Sequence, residues 1–265
     1  DVDRGVVAVE QAGRGDEAQR GRARARGAFA PDGAARGRRA AQAVATARHQ
    51  VADLIGAQPQ EIVFTGCATE ANNLALLGVA RALGTARRHL VISAIEHPAV
   101  MAPAMFLREQ GWDVTVVPVD GFGRISVEAL EKSLRTETAL VSVMHANNEV
   151  GTVQPIREIA RLTRERGIVL HTDAAQSAGK LPLHVDELGV DLLTLAGHKF
   201  FAPKGVGALY VRSGTPIRSV LHGAEQEHGL RPGTENVASI VALGVAATAA
   251  ERSFAAASEN LRAMR

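Results

Sequence analysis

The chain has 265 residues, a formal net charge of +2 at pH 7 and one cysteine, Cys67. This length is enough to bury a large hydrophobic core and predicts one or two domains. One cysteine excludes an internal disulfide framework and is typical of a reducing compartment. No signal peptide is visible, and no apolar run approaches the roughly 18 residues of a membrane span, so the sequence predicts a soluble, cytoplasmic protein.

Residues 1–36 differ in composition from the rest of the chain. They are rich in Arg, Gly and Ala, with almost no large apolar residues. They follow neither helical nor strand periodicity, so the segment is predicted to be disordered or weakly helical. A nucleic-acid-binding arm is one interpretation of the arginines, but no aromatic pattern or motif accompanies them. Neither a nucleic acid nor a membrane is therefore predicted as a partner.

From Ala40 onward the pattern alternates between helices and strands. A helix over Ala40–Ile55 is predicted because apolar residues recur on one face, and Gly56 can end it. Strands are predicted at 61–65, 89–94, 114–119, 139–144, 168–173 and 192–196, and helices at about 71–83, 126–134, 155–166 and from 237 onward. This alternation predicts an α/β fold, with a mostly parallel sheet covered by helices on both faces. Ligands of such sheets bind at the carboxyl ends of the strands.

Two polar residues, Asp173 and Lys199, lie where predicted strands end. A lysine that is partly desolvated at a strand end is a competent amine nucleophile toward an aldehyde. A pyridoxal phosphate (PLP) site needs such a lysine for its Schiff base and an acid to pair with its pyridinium nitrogen. Taken singly, a surface lysine and a helix-capping aspartate are the simpler interpretations.

The segment Gly66–Glu70 lies between a predicted strand and a predicted helix. A strand, a turn of small residues and a helix N-terminus present free backbone N–H groups and the positive end of the helix dipole. The segment is therefore a candidate phosphate-binding turn.

Three runs together resemble the cysteine desulfurases, which are class V aminotransferases of PLP fold type I. They are HTDAAQ at 171–176, AGHK at 196–199 and PKGVGALY at 203–210. The resemblance extends, in order and spacing, from about Gly37 to the C-terminus. It implies the large domain of PLP fold type I and conversion of L-cysteine to L-alanine, with the sulfur passed to a cysteine persulfide. It also implies a homodimer and a sulfur-acceptor or scaffold protein as partners.

The resemblance also implies the roles of individual residues. Lys199 and His97 are the catalytic residues: Lys199 forms the Schiff base, and His97 stacks on the pyridine ring and moves protons. Gln176 hydrogen-bonds the phenolic oxygen of PLP, Asn148 faces the same oxygen and the substrate carboxylate, and Thr234 reaches the phosphate bound by the partner subunit. The implied cofactor-binding residues are Ala68, Thr69, His97, Asn148, Asp173, Gln176, Ala196, His198, Lys199 and Thr234. No metal site is predicted, because the histidines are scattered and the cysteine has no partner.

The sequence departs from the family pattern at several places. Cys67 replaces a usual glycine, which would disturb the turn if a positive φ is required. We expect a packing role for its side chain. Ala196 lacks the phosphate-binding hydroxyl of many members. Residues 1–36 lack the family's N-terminal strand, for which a shifted reading frame that rejoins near Gly37 is one hypothesis.

The composition and the resemblance together predict three segments. Residues 1–36 form a divergent segment, 37–236 the PLP-binding large domain, and 237–265 a helix leading toward a small C-terminal domain that is missing, together with the nucleophilic cysteine loop. Two alternatives to a desulfurase stay open. One is a selenocysteine lyase or another class V lyase or aminotransferase, and the other is a PLP-binding fragment without turnover.

Overall fold

The computed structural model describes residues 30–264. Its contacts divide the chain into two units, 1–43 and 44–265. The described part of the first unit is the beginning of helix α1, and the second unit holds the other elements. The prediction of disorder for residues 1–29 lies outside the described residues. Residues 30–36 belong to helix α1, in line with the weakly helical alternative for this part of the segment.

Seven α-helices and seven strands are present within residues 30–264. The helices are α1 Ala30–Ile55, α2 Ala68–Leu83, α3 Pro98–Glu109, α4 Val127–Ser133, α5 Ile156–Glu165, α6 Val185–Leu188 and α7 Val237–Ala263. The strands are β1 Ile62–Thr65, β2 His89–Ser93, β3 Asp113–Val117, β4 Thr138–Ser142, β5 Val169–Asp173, β6 Leu192–Ala196 and β7 Gly207–Val211. Short 3-10 turns lie at Pro59–Glu61, Gly197–Phe200 and Glu227–Gly229.

Two helices differ from the sequence prediction. Helix α1 begins at Ala30 rather than at Ala40. Helix α3 was not among the predicted helices. Pro98 stands at the first helical position, where a proline is favoured, while Pro103 is inside the helix. Burial of the apolar face of α3 outweighs the backbone hydrogen bond that Pro103 cannot make.

The strands form one sheet in the order β1-β7-β6-β5-β4-β2-β3. The pairs β2–β3, β2–β4, β4–β5 and β5–β6 are parallel, while β7 runs antiparallel to both β6 and β1. The prediction of a mostly parallel sheet is confirmed. The carboxyl ends of β1, β2, β4, β5 and β6 therefore meet at one edge of the sheet.

Helices cover both faces of the sheet, as predicted. On strand β6, Leu192 packs into one hydrophobic cluster and Leu193 into another, as the alternation of side chains in a strand requires. The cluster that contains Leu192 includes the apolar sides of α2 and α3. The cluster that contains Leu193 includes residues of α1, α4, α5, α6 and α7. The core thus lies in two layers, one on each face.

The apolar helix predicted from Val237 is present as α7. Its segment Val237–Phe254 is long and apolar enough to cross a membrane, with a mean hydropathy of 1.3. The prediction that no run approaches this length is therefore wrong. One face of the segment, which includes Leu243 and Ala247, packs into the core of the second unit, whereas Val245 is exposed.

Gly207 allows the first turn of α2 to lie directly over the strand ends. It pairs with Thr65 on one side and with Ala196 on the other. A Cβ at this position would lie 2.7 Å from the carbonyl oxygen of Leu195 and 2.9 Å from the carbonyl carbon of Cys67. Both neighbours are backbone atoms that cannot rotate away, so only glycine fits.

We expect Gly207→Ala to destabilise the protein by about 1–3 kcal/mol, because the added methyl group must displace backbone on two elements. Gly121→Ala is the matched control, since a Cβ at Gly121 meets no atom within 4 Å. Urea unfolding gives the free energy of unfolding of the parent and of both variants. Equal unfolding midpoints for the two variants would contradict this account of the close approach.

Candidate functional site

A cavity of about 210 Å³ lies at the edge where the carboxyl ends of the strands meet. All of the predicted cofactor-binding residues except Thr234 line it: Ala68, Thr69, His97, Asn148, Asp173, Gln176, Ala196, His198 and Lys199. A larger cavity of about 520 Å³ lies at the opposite edge and is lined by none of these residues. The candidate residues are thus brought together by the topology of the sheet.

Asp173 is the last residue of the central strand β5 and is 5% exposed. Burial raises the pKa of its carboxyl group. Two hydrogen bonds favour the ionised form and oppose this shift. Oδ1 accepts from the backbone N–H of Ala175 at 2.9 Å, and Oδ2 accepts from the side-chain amide of Asn72 at 2.7 Å. His97 also acts to lower the pKa of Asp173.

Lys199 lies in the 3-10 turn that follows β6, and it is half-buried. The turn is packed tightly from two sides. A Cβ at Gly197 would lie 2.8 Å from the carbonyl oxygen of Val206 and 2.9 Å from Cδ1 of Leu243 in α7. The packing of α7 against this turn therefore holds the backbone that carries the lysine.

A second lysine, Lys180, lies near the site without lining the cavity. Its pKa is lowered by burial and by the positive charge of Lys199. Its Nζ lies 3.4 Å from Oε1 of Gln176, one of the residues that line the cavity. Lys180 is therefore the natural comparison when the reactive amine is identified.

His97 is the N-cap of α3, where its Nδ1 accepts a hydrogen bond from the N–H of Ala99 at 3.0 Å. In the neutral ring this bond leaves the proton on Nε2. The side chain is exposed and lines the cavity. His97 can therefore exchange a proton with a bound group through Nε2 while its other nitrogen is held by the helix end.

Glu96 supports the site from behind the cavity wall, a role that the sequence analysis missed. Its buried Oε1 accepts from the hydroxyl of Ser93 and, at 2.8 Å, from the N–H of Met144. Burial raises the pKa of this carboxyl group to about 8. Oε2 has no hydrogen-bond partner among the described residues. Glu96 thus ties the segment that carries His97 to the end of β4, and its burial could not be read from the sequence.

The loop after β4 is ordered by Asn147 rather than by Asn148. Oδ1 of Asn147 accepts from the N–H groups of Glu149 and Val150 at 2.8 and 3.1 Å. This local turn leaves the exposed side chain of Asn148 at the cavity wall. Asn148 is consequently available to a ligand.

The candidate phosphate turn has an ordinary backbone. Cys67 is the N-cap of α2, with φ −176° and ψ 171°. This is extended backbone that any residue adopts, so the expected disturbance of the turn does not occur. Cys67 is exposed and lines the cavity, so the expected packing role is also wrong. Its side chain makes no capping hydrogen bond, which leaves first-turn N–H groups of α2, a 16-residue helix, without a side-chain cap.

Thr234 is exposed and does not line the cavity. Its loop is nevertheless held to two helices by ion pairs, Glu227 to Arg48 of α1 at 2.7 Å and Arg231 to Glu70 of α2 at 2.6 Å. Glu70 also accepts the N–H of Gly66, within the phosphate turn, at 2.8 Å. The contact of Thr234 with a partner subunit stays a prediction.

Comparisons with known proteins identify relatives of this chain. The family model described as "Aminotransferase class-V" matches residues 24–264, so the matched region begins before Gly37. The cysteine desulfurase IscS of Dictyoglomus turgidum is 50% identical over 210 residues, which are 79% of this chain and 53% of that protein. The chain therefore spans about half the length of the curated relatives that it matches.

Solved structures with the same fold carry related names. A "NifS-like protein" superposes with a TM-score of 0.83 at 41% identity, covering 86% of this chain and 64% of the other. SspA, solved in complex with cysteine, gives 0.77 at 45% identity, with coverages of 80% and 61%. DndA from Streptomyces lividans gives 0.78 at 43% identity, with coverages of 83% and 63%. With a family model matched along most of its length, the chain belongs to the class V aminotransferases, a family of PLP-dependent proteins.

Proposed function

We propose that this chain is the PLP-binding part of a cysteine desulfurase. The observation that carries the proposal is one cavity lined by a lysine amine, a buried carboxylate and the first turn of a long helix. The names of the relatives support the same activity.

The donor set fits the chemistry of PLP. Lys199 offers an amine for the aldehyde, and Asp173 offers a buried, twice hydrogen-bonded carboxylate for the pyridine nitrogen. The N-terminal turn of α2, at Ala68 and Thr69, offers backbone N–H groups and a positive dipole end for the phosphate. PLP bound here would supply an electron sink for the amino-acid substrate.

The chain's own residues would position the substrate and move its protons. His97 lines the cavity and can relay a proton through Nε2, while Asn148 and Gln176 supply neutral hydrogen-bonding groups. In the proposed net reaction, L-cysteine and a protein thiol yield L-alanine and a protein persulfide. The C–S bond of the substrate breaks, and an S–S bond forms on the thiol.

The proposed activity implies several partners. L-Cysteine is the substrate, and a protein that accepts the persulfide sulfur, for example in iron–sulfur cluster assembly, is the next component. We also propose a homodimer, in which Thr234 of one copy contacts the phosphate bound by the other, and a cytoplasmic location. A selenocysteine lyase or another class V enzyme is the alternative within PLP chemistry, and a PLP-binding fragment without turnover is the alternative outside it.

Purified protein mixed with PLP should develop a visible absorption band, and borohydride should then fix the label on the Lys199 peptide. Lys199→Ala should abolish the label, because the reactive amine is lost. Lys180→Ala and Lys204→Ala should keep it. Peptide mapping by mass spectrometry decides the site, and a label on Lys180 or no label at all would refute the assignment.

The 265-residue polypeptide should bind PLP but release no sustained alanine or sulfide from L-cysteine. Its one cysteine, Cys67, is the N-cap of α2 and belongs to the turn proposed to bind the phosphate of PLP. Sulfur abstraction needs a thiolate that reaches the substrate sulfur.

The test is the rate of alanine and sulfide release from L-cysteine, assayed with a reductant present, for the parent and for Cys67→Ser. Sustained release by the parent that disappears in Cys67→Ser would make Cys67 the nucleophile and overturn the argument. Release from L-selenocysteine by both proteins, with none from L-cysteine, would favour the lyase alternative.

A further inference from the structure

Asn72 is the buried neighbour of Asp173 that the resemblance did not point to. It lies on α2, one turn after Thr69, and is 0% exposed. Its Nδ2 donates to Oδ2 of Asp173 at 2.7 Å, and its Oδ1 has no hydrogen-bond partner among the described residues. Asn72 also lines the cavity. The contact with Asp173 is therefore the one hydrogen bond of this side chain seen in the described part of the chain.

We propose that Asn72 is a positioning residue that keeps the Asp173 carboxylate ionised and in one orientation at the cavity wall. This inference rests on the proposed function, since the ionised carboxylate is what a PLP pyridine nitrogen requires. It goes further by assigning a residue of α2 to control that carboxylate.

The hydrogen bonds of Asp173 support this role. Oδ1 is held by the N–H of Ala175, two residues along the same segment, so that bond alone lets the carboxyl group pivot. The bond from Asn72 to Oδ2 comes from a different element and fixes the second oxygen. Two donors on opposite oxygens define the plane of the carboxylate. The two hydrogen bonds also favour the ionised form of Asp173 and so oppose the effect of burial, which favours the protonated form. A protonated carboxyl group could not form an ion pair with a pyridinium.

The position of Asn72 on α2 connects two parts of the site. The first turn of the same helix, at Ala68 and Thr69, is the proposed phosphate anchor. From Ala68 to Asn72 the helix rises by about 6 Å. One rigid helix therefore sets the spacing between the phosphate anchor and the residue that orients the acid.

Other charged and titratable groups surround Asp173 and enter its pH dependence. Burial raises the pKa of Asp173 and His97 opposes this shift, while burial and, to a smaller extent, Asp173 raise the pKa of Glu96. Lys199 and His198 line the same cavity. His145, whose N–H binds the carbonyl oxygen of Asp173, has a pKa lowered to about 4 by burial. All of these groups stay in place when Asn72 alone is replaced, so a difference between variants isolates its contribution.

Removal of the Asn72 donor should raise the pKa of Asp173, because a bond to the ionised form is lost. The affinity for PLP, which falls at low pH as Asp173 becomes protonated, should then begin to fall at a higher pH. Asn72→Leu keeps most of the side-chain volume without a donor, and Asn72→Ala is a smaller alternative. Asn73→Leu is the matched control, because Asn73 is the adjacent residue on α2 and donates instead to the carbonyl oxygen of Thr69.

Two measurements test the role of Asn72. The first is the dissociation constant of PLP, measured as a function of pH. At pH 7 it should be about 10- to 100-fold larger for both Asn72 variants and nearly unchanged for Asn73→Leu. In the protein without PLP, carbon-13 NMR of labelled aspartate should show a higher pKa for Asp173 in the Asn72 variants. In the parent, the side-chain amide signals of Asn72 should shift as Asp173 titrates.

An unchanged Asp173 pKa in folded Asn72 variants would overturn the proposal. If neither variant folds, parent Asn72 amide signals that stay constant through the Asp173 titration would overturn it, and signals that follow the titration would support it. If the parent fails to bind PLP, the proposed function fails, while the two NMR readouts still decide the role of Asn72.

Discussion

The site depends on one constraint, a carboxylate buried at the end of the central strand. An ionised carboxylate out of water is costly unless hydrogen bonds or opposite charges compensate it. Asp173 meets this constraint with one donor from its own segment, Ala175, and one from α2, Asn72. Helix α2 must therefore lie close over the strand ends, and Gly207 is the residue that permits this approach. The position of the candidate phosphate turn follows from the same contact.

A second buried carboxyl group, Glu96, avoids the cost of a buried charge by holding a proton. Its pKa is raised to about 8, mainly by burial and in part by Asp173, so it is mostly protonated at neutral pH. It accepts from Ser93 and Met144 and so ties the ends of β2 and β4. Neighbouring carboxyl groups avoid mutual repulsion when one of them holds a proton. The two acids therefore have different roles: neutral Glu96 connects two strand ends, and Asp173 lies at the cavity wall.

Much of this arrangement could be predicted from the sequence. The resemblance to the cysteine desulfurases predicted nine of the residues that line the cavity, and the alternation of helices and strands predicted the mostly parallel sheet. Helix α3 was missed, and it is stabilised by the burial of one face, which includes Val100, Ala104 and Leu107. The importance of Asn72 and Glu96 depends on burial and on partners distant in sequence. The backbone angles of Cys67 could not be predicted either, since the usual glycine suggested a positive φ that the turn does not use.

The site also divides its residues according to how firmly they are held. Asp173 and the first turn of α2 belong to regular elements and are fixed by the sheet and by packing. Asn148, by contrast, is exposed and lies in the loop that follows β4. Elements of regular structure hold a geometry more closely than loops do, whereas loops allow groups to move. The groups proposed to hold the pyridine nitrogen and the phosphate of PLP are therefore on regular elements, whereas Asn148, which would meet a substrate, is on a loop.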